Sequence, residues 1–211
     1  MKPLWILIVL FLEQLAVARS SAFQDFWAEA QWAEFKALHH KSYRSVEEEA
    51  FRRKIFLDNR YTIARHNERY GRGLVSFKLR MNQYGDLRGV CHFRNDSVGA
   101  TVTGTVTVEK GDERMVEVAV ATVGPVSGAV YAKLLSFRFY GGGVYRDDEC
   151  GLHALTHAVL IVGYGVTDDG TKYWIVKNSW GRGWGEHGYM RLAKDAGNQC
   201  RIADLVSFPL V

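Results

Sequence analysis

The chain of 211 residues lacks an apolar run long enough to cross a bilayer. Its longest apolar stretch, Leu4–Leu12, follows a Met-Lys start and precedes an A-x-A cleavage signal at residues 16–18. This layout predicts a signal peptide over residues 1–18. We therefore expect the chain to enter the secretory pathway, to reach the extracellular space or the lysosome, and to have no membrane anchor.

The composition gives no sign of a nucleic-acid partner. The formal net charge is +4, the basic residues mix with acidic ones, and no nucleic-acid motif is present. Hydrophobic residues make up 47% and charged residues 24%, which is ordinary for a globular protein. The charge is interpreted as a solvated surface, and we see neither an internal repeat nor a low-complexity linker.

Cysteine is scarce and its count is odd. In an oxidising compartment cysteines pair, so one of Cys91, Cys150 and Cys200 has no partner within the chain. The sequence Asn95-Asp96-Ser97 is an N-glycosylation sequon, which makes Asn95 a candidate glycosylation site.

Hydrophobic periodicity divides the chain into a helical first third and a mostly β remainder. Helices are predicted over 23–40 and from Ser45 toward Gly71, the second opened by a capping box of Ser45 and Glu48. A further helix is predicted over 112–122, stopped by Gly124-Pro125. Strands are predicted over 75–80, 99–107, 126–132, 155–163, 172–177 and 188–192.

Six residues of the second helix stand at steps of 4, 4, 3, 4 and 4, which keeps them near one face. They are Glu48, Arg52, Phe56, Asn59, Ile63 and Asn67. Periodicity explains the two apolar members as core residues. It does not explain why the other four are polar residues of these types.

The same six positions resemble the ERFNIN pattern of the inhibitory prosegment of papain-like cysteine proteases of the cathepsin L type. In the stretch MNQYGDL, Asn82, Tyr84 and Asp86 resemble the second prosegment motif, G-x-N-x-F-x-D. Arg80 stands where that motif has Gly, and Tyr84 replaces Phe. The resemblance implies a propeptide-inhibitor-like domain over residues 19–88.

By the same resemblance, this prosegment packs on the β-rich half of its own chain. The expected contact is a surface loop over residues 136–145, whose aromatic residues would meet two aromatic residues of the first helix. The residues concerned are Phe137, Phe139 and Tyr140 on the loop, and Trp32 and Phe35 on the helix.

The C-terminal part resembles the same family independently. The stretch THAVLIVGYG resembles its histidine strand, and YWIVKNSWGRGWGEHGYMRL resembles its asparagine segment. The resemblance assigns His157 as catalytic histidine, Asn178 as the residue that orients it, and Trp180 as the indole that shields their contact. Thr156 and Ala158 depart from the usual Asp and Gly. Residues 89–211 then form the C-terminal β-rich part of a papain-like peptidase, in an α+β fold with the prosegment on its right half.

These residue types suit nucleophilic catalysis by a thiolate. A neighbouring imidazolium stabilises the thiolate and protonates the leaving amine, and the asparagine orients the ring. In isolation, His157 would be interpreted as a strand-end histidine and Asn178 as a turn residue. A metal site of His153 and His157 is disfavoured because the second lies on a predicted strand, and no cofactor is expected.

The nucleophile itself is missing from the pattern. The chain contains no C-G-[SA]-C-[WY] string, and the prosegment ends near Leu87, almost directly before Cys91. Cys91 precedes His157 by 157 − 91 = 66 residues, roughly half the expected spacing. The resemblance instead implies that Cys91 lost its partner with an absent half-domain, and that Cys150 pairs with Cys200.

Three functions follow, in this order of preference. The first is a family member that lacks peptidase activity. The second is a propeptide-type inhibitor of intact cysteine proteases, and the third is a peptidase that uses Cys91. The absent half-domain would also uncover apolar surface, for which Leu155, Ala158, Trp180 and Trp184 are the candidates.

Overall fold

The computed structural model describes residues 27–87 and 102–210. The predicted signal peptide, Cys91, Asn95 and the boundary after residue 88 lie outside these ranges. The chain divides into two compact units, Met1–Asp58 and Asn59–Val211. Helices and an extended sheet occur together, which confirms the predicted α+β class. No helix within the described ranges has the length and apolarity needed to cross a membrane.

An aromatic cluster forms the core of the first unit. Helix α1 covers residues 27–38, and helix α2, Val46–Gly71, begins in this unit. The ring of Trp32 lies 5.6 Å from Phe35, 5.6 Å from Tyr43 and 5.3 Å from Phe56, measured between centroids. The Trp32 indole also donates to Glu49 at 3.2 Å. Packing of Trp32 and Phe35 on residues 136–145 stays a prediction.

The start of α2 is capped as its sequence predicts, with one shift. The Ser45 hydroxyl accepts the Glu48 backbone N–H at 3.2 Å. The Glu48 carboxylate reaches back to the backbone N–H of Arg44 at 3.1 Å, rather than to that of Ser45. Both backbone donors therefore have a partner. The three glutamates of the first turn are stabilised by the positive end of the helix dipole.

The second unit is organised around an eight-stranded sheet in the order β1-β4-β7-β6-β5-β3-β8-β2. Its neighbours pair antiparallel except β4 and β7, which run parallel. The strands are β1 Phe77–Leu79, β2 Gly104–Thr107, β3 Val126–Val130, β4 Tyr140–Tyr145, β5 His157–Val166, β6 Lys172–Lys177, β7 Tyr189–Ala193 and β8 Ser207–Leu210.

Short helical segments complete this unit. Helix α3, Glu113–Thr122, is capped by Asp112, whose carboxylate accepts the Met115 N–H at 2.9 Å. Its apolar face is buried and packs on β3 and β5. Helix α4 covers Leu135–Arg138, and 3₁₀ turns cover Asp148–Leu152 and Gln199–Arg201. Large aromatic side chains fill the core: Phe137, Phe139, Tyr140, Tyr145, Trp174 and Trp184.

The prediction that residues 136–145 form a surface loop is wrong. This stretch contains the end of α4 and the largely buried strand β4. Glycine makes the strand possible, because Gly143 has φ +93° and a Cβ there would lie 2.5 Å from the Ser76 carbonyl oxygen. Strand β1 therefore approaches β4 more closely than side chains would allow.

Candidate catalytic pair and docking segment

The sheet brings His157 and Asn178 together. His157 opens β5, and Asn178 directly follows β6. The antiparallel register pairs Leu160 with Lys177, so residues just before Leu160 lie opposite those just after Lys177. The His157 Nε2 and Asn178 Oδ1 atoms are 2.8 Å apart.

Hydrogen bonding around Asn178 fixes which ring nitrogen of His157 is free. The Oδ1 atom of Asn178 also accepts the Ser179 backbone N–H at 2.7 Å, so it acts as an acceptor toward the ring. His157 Nε2 is then the donor, and Nδ1 is left to accept a proton. The Asn178 backbone is held by Gly188 at 2.9 Å. The buried Asn178 Nδ2 has no hydrogen-bond partner among the described residues.

Trp180 covers the pair from one side. Its ring centroid lies 4.9 Å from that of His157, at an interplanar angle of 35°. Phe137 and Trp184 support Trp180 at 5.7 and 5.6 Å. Trp184 is wrongly placed among the exposed candidates: it is fully buried, and its indole donates to the Arg138 carbonyl at 3.0 Å.

Residues 76–87, here called the docking segment, belong to the second unit and reach Trp180 beside this pair. Strand β1 pairs with β4, and the Ser76 hydroxyl donates to the Val144 carbonyl at 2.7 Å. The Phe77 ring lies 4.5 Å from the Tyr145 ring. The Arg80 backbone N–H donates to the Phe139 carbonyl at 2.8 Å.

The second half of the docking segment contacts Trp180 directly. The Gln83 amide and the Tyr84 hydroxyl both donate to the Trp180 carbonyl, at 2.7 and 3.2 Å. The Asn82 amide donates to the Arg138 carbonyl at 3.0 Å. In return, the Arg138 guanidinium donates to the Leu87 carbonyl at 2.9 Å.

Helix α2 holds the docking segment through Asn59 and Asn67, two of the four polar residues that periodicity left unexplained. Asn67 brackets Leu79, accepting its N–H and donating to its carbonyl, both at 2.8 Å. Asn59, which is buried, donates to the Gly85 carbonyl at 2.8 Å. Ile63 packs against the core of the second unit. These asparagines therefore satisfy backbone groups that no regular secondary structure satisfies.

Comparison with known proteins decides the family. The family model described as papain family cysteine protease matches residues 39–210. The chain belongs to the papain family. Among its relatives, cathepsin L1 of Drosophila melanogaster is 29% identical over 330 residues, covering 93% of this chain and 89% of the relative.

Other members of the family match over different lengths. Cathepsin L of Sarcophaga peregrina is 48% identical over 128 residues, covering 61% of this chain and 38% of the relative. The structure of digestive procathepsin L 3 of Tenebrio molitor larval midgut has a TM-score of 0.78 and 26% identity, covering 87% of this chain and 99% of that one. The chain thus matches less than half the length of the Sarcophaga peregrina relative.

This papain-family chain contains a disulfide between Cys150 and Cys200, as the resemblance implies. Both sulfur-bearing residues are fully buried, and the Gln199 amide donates to the Cys150 Sγ at 2.9 Å. Neither cysteine of the described ranges is therefore a free thiol. Within residues 27–87 and 102–210, no group of three or more His, Cys, Asp or Glu side chains could hold a metal ion.

Several residues that support the site or the segments around it were not predicted from the sequence. Gln83 lies between two motif residues and supplies the shorter bond to Trp180. Arg138 ties α4 to the end of the docking segment. Glu186 and Arg191 form a two-bond ion pair at 3.0 and 2.8 Å. Only the position of Gln83 inside a motif could have pointed to its role.

Proposed function

We propose that this chain is a papain-family protein without peptidase activity, which keeps the orienting half of a catalytic site and lacks the nucleophile. The observation that carries the proposal is the contrast within one site. His157 and Asn178 are bonded at 2.8 Å, whereas both cysteines of the described ranges are locked in a buried disulfide. Without a thiolate, the imidazole has no attacking group to stabilise.

The alignment lengths support an internal loss of the nucleophile segment. An alignment of 330 residues with a chain of 211 leaves at least 330 − 211 = 119 positions of the Drosophila melanogaster relative without a counterpart. The chain has no C-G-[SA]-C-[WY] string. We place the loss between Leu87 and Cys91, at the junction of the prosegment-like part and the β-rich part.

We also propose that the prosegment-like part stays docked on the β-rich part of its own chain. Supporting this are the strand pairing of β1 with β4, the bonds of Gln83 and Tyr84 to Trp180, and the Arg138 bond to Leu87. Docking in the same chain needs no loss of translational freedom, so it is favoured over binding a second molecule.

Hydrolysis of a fluorogenic dipeptide substrate tests the first proposal. The full chain and its Cys91→Ala variant should both show no activity between pH 4 and 7, beside an active cathepsin L measured as positive control. Because a docked segment could block substrate, a second sample is cleaved at a protease site inserted after Leu87. Activity that appears after cleavage and disappears with Cys91→Ala would overturn the proposal in favour of Cys91 as nucleophile.

A second function, inhibition of intact papain-family proteases, is favoured by one feature of the docking segment. Its side chains bond to backbone carbonyls of residues 138, 144, 180 and 185, rather than to particular side chains. Any chain of the same fold presents such carbonyls, so the segment could bind an intact relative in trans. To do so it must first leave its own sheet.

Inhibition kinetics against an active cathepsin L test this second function. If the segment exchanges between molecules, adding the full chain lowers the rate in proportion to its concentration, and Asn82→Ala weakens the effect. Arg69→Ala, which changes an exposed residue on α2, is the matched control. A rate that stays constant up to a large excess of the full chain would exclude inhibition in trans.

We further propose that the chain passes through the secretory pathway, on the basis of residues 1–18 and the Asn95 sequon. Expression in cultured animal cells should give a product whose mass falls on treatment with an N-glycosidase. The Asn95→Gln variant should run at the lower mass without treatment. An unglycosylated product retaining residues 1–18 would contradict passage through this pathway.

A further inference from the structure

A cavity of about 370 Å³ lies beside the junction of β1 and β4, apart from the His157–Asn178 pair. Its wall carries three cationic side chains, Lys78, Arg80 and Arg191, and one carboxylate, Glu186. All of these residues belong to the second unit. We call it the cationic cavity.

The negative charge of Glu186 is already paired with the positive charge of Arg191. The Glu186 carboxylate accepts two bonds from the Arg191 guanidinium, at 3.0 and 2.8 Å, and one from the Gly143 backbone N–H at 3.1 Å. A bidentate pair of this kind holds both charges in place. Lys78 and Arg80 therefore contribute two positive charges that Glu186 does not neutralise.

Lys78 and Arg80 are free to bind a ligand from one side. They stand two residues apart on the exposed side of an extended segment, whose alternate residues Phe77 and Leu79 are buried. The Arg80 guanidinium is anchored by one bond, from Nη2 to the Gly185 carbonyl at 2.7 Å. The Lys78 ammonium has no hydrogen bond or ion pair among the described residues and acts on Glu186 only through its charge.

Glycine keeps the cavity open. A Cβ at Gly142 would lie 3.2 Å from the Glu186 Oε1 and 3.5 Å from the Lys78 Cε, so a side chain there would fill the space between them. One of the cavity's cations departs from the prosegment motif, because Arg80 occupies the position where that motif has Gly. A glycine would supply no charge at this wall.

We propose that the cationic cavity binds a sulfate or phosphate group, as a free ion or as the ester of a small molecule. A guanidinium presents parallel donors that match the oxygens of such a tetrahedral anion, and an ammonium adds a compact point charge. Lys78 and Arg80 come from the docking segment, whereas Arg191 comes from β7 and Glu186 from the turn that precedes it. A bound anion would therefore contact both.

Amide chemical shifts of the ¹⁵N-labelled full chain test the proposal. Titration with inorganic phosphate and, separately, with N-acetylglucosamine 6-sulfate at constant ionic strength should shift the amides of residues 141–143 and 185 with saturation at ~1 mM or below. Lys78→Ala and Arg80→Gly should each weaken binding roughly tenfold. Lys133→Ala and Arg114→Ala, which change exposed cations elsewhere, should leave it unchanged.

A variant with the opposite effect sharpens the test. Glu186→Gln removes the one negative charge of the cavity and should tighten binding severalfold. The more tightly bound of the two probes identifies the source of the anion. Acetate is titrated in parallel as an anion that is not tetrahedral. Shifts that do not saturate, an equal loss of affinity in the control variants, or tighter binding of acetate than of phosphate would each overturn the proposal. If Arg80→Gly fails to fold, Arg80→Gln and Lys78→Ala decide it.

Discussion

The His157–Asn178 pair and the docking segment are held by different kinds of bond. His157 and Asn178 bond through their side chains, and Trp180 covers them with its ring. The docking segment bonds mostly through side chains to backbone carbonyls, as Asn82 does to Arg138 and Gln83 to Trp180.

Because of this difference, the two regions need different degrees of sequence identity. The pair requires two particular residue types, because an imidazole and a carboxamide must meet in a fixed orientation. The docking segment requires particular residues on one side only, since every residue has a carbonyl. A chain can therefore keep its docking surface, and bonds such as those of Asn67 and Asn82, after the chemistry of the site has been lost.

We expect the largest effect from removing the disulfide, because this should destabilise both the His157–Asn178 pair and the docking segment. The disulfide encloses 50 residues that include β5 and β6, the strands that carry His157 and Asn178. Cys150→Ala/Cys200→Ala should lower the free energy of unfolding by about 4 kcal/mol, according to loop entropy. Urea denaturation followed by tryptophan fluorescence measures this. An unchanged midpoint would show that the disulfide does not constrain the unit.

The next effect should be confined to the docking segment. Asn67→Ala leaves both backbone groups of Leu79 without their partner, which should cost about 2–3 kcal/mol. Hydrogen exchange should accelerate across residues 77–87 while the ¹H resonances of His157 keep their positions. Arg69→Ala is the control on the same helix. Equal acceleration throughout the sheet would show that the two regions are not separable.

The contribution of the Glu186–Arg191 ion pair to the free energy of unfolding should depend on pH. Burial raises the pKa of Glu186, but the bonds from Arg191 and Gly143 and the charge of Lys78 outweigh it, so the pKa lies below the ordinary 4.5. The folded-state pKa is depressed, so this stabilisation is present above that ordinary value and is lost as pH falls through the folded pKa.

Glu186→Gln should therefore destabilise the chain by about 1 kcal/mol at pH 7 and by progressively less below pH 4.5. Urea denaturation of both proteins at several pH values from 3 to 7 measures the difference. A difference that is constant over this range would show that the carboxylate charge is not responsible.

The smallest effect is expected where one backbone carbonyl has two donors. Tyr84→Phe removes the hydroxyl bond to the Trp180 carbonyl, but Gln83 still donates to it and the ring contact with Trp180 remains. We expect a loss of about 0.5 kcal/mol or less. Gln83→Ala, which removes the shorter bond, should cost more. The reverse order would show that the hydroxyl carries the contact.

Sequence reasoning succeeded where periodicity and local chemistry agree. Helix α2 has a cap and an acidic first turn, and it ends at Gly71 as predicted. Strand β6 matches its predicted bounds, because KYWIVK is rich in β-branched and aromatic residues. Strands β4 and β8 were missed, since YGGGVY offers no side-chain alternation and Pro209 argues against a strand.

Within the site, sequence could suggest residue types but not their surroundings. The pairing of His157 with Asn178 followed from a family resemblance, because 21 residues separate them. The burial of Trp184 and the bonds of Glu186 to Arg191 depend on how strands and turns meet. A residue's own neighbours along the chain carry no such information, so these contacts were not predictable from local patterns.

Intact-mass analysis after reaction with a thiol-reactive epoxide tests directly whether the chain has a nucleophilic thiolate, because the epoxide is attacked by that group. The chain is cleaved after Leu87 beforehand, so that a docked segment cannot protect the site. We expect no added mass on the chain under conditions that label an active cathepsin L completely. Stoichiometric labelling that maps to Cys91 and is lost in His157→Ala would contradict this expectation.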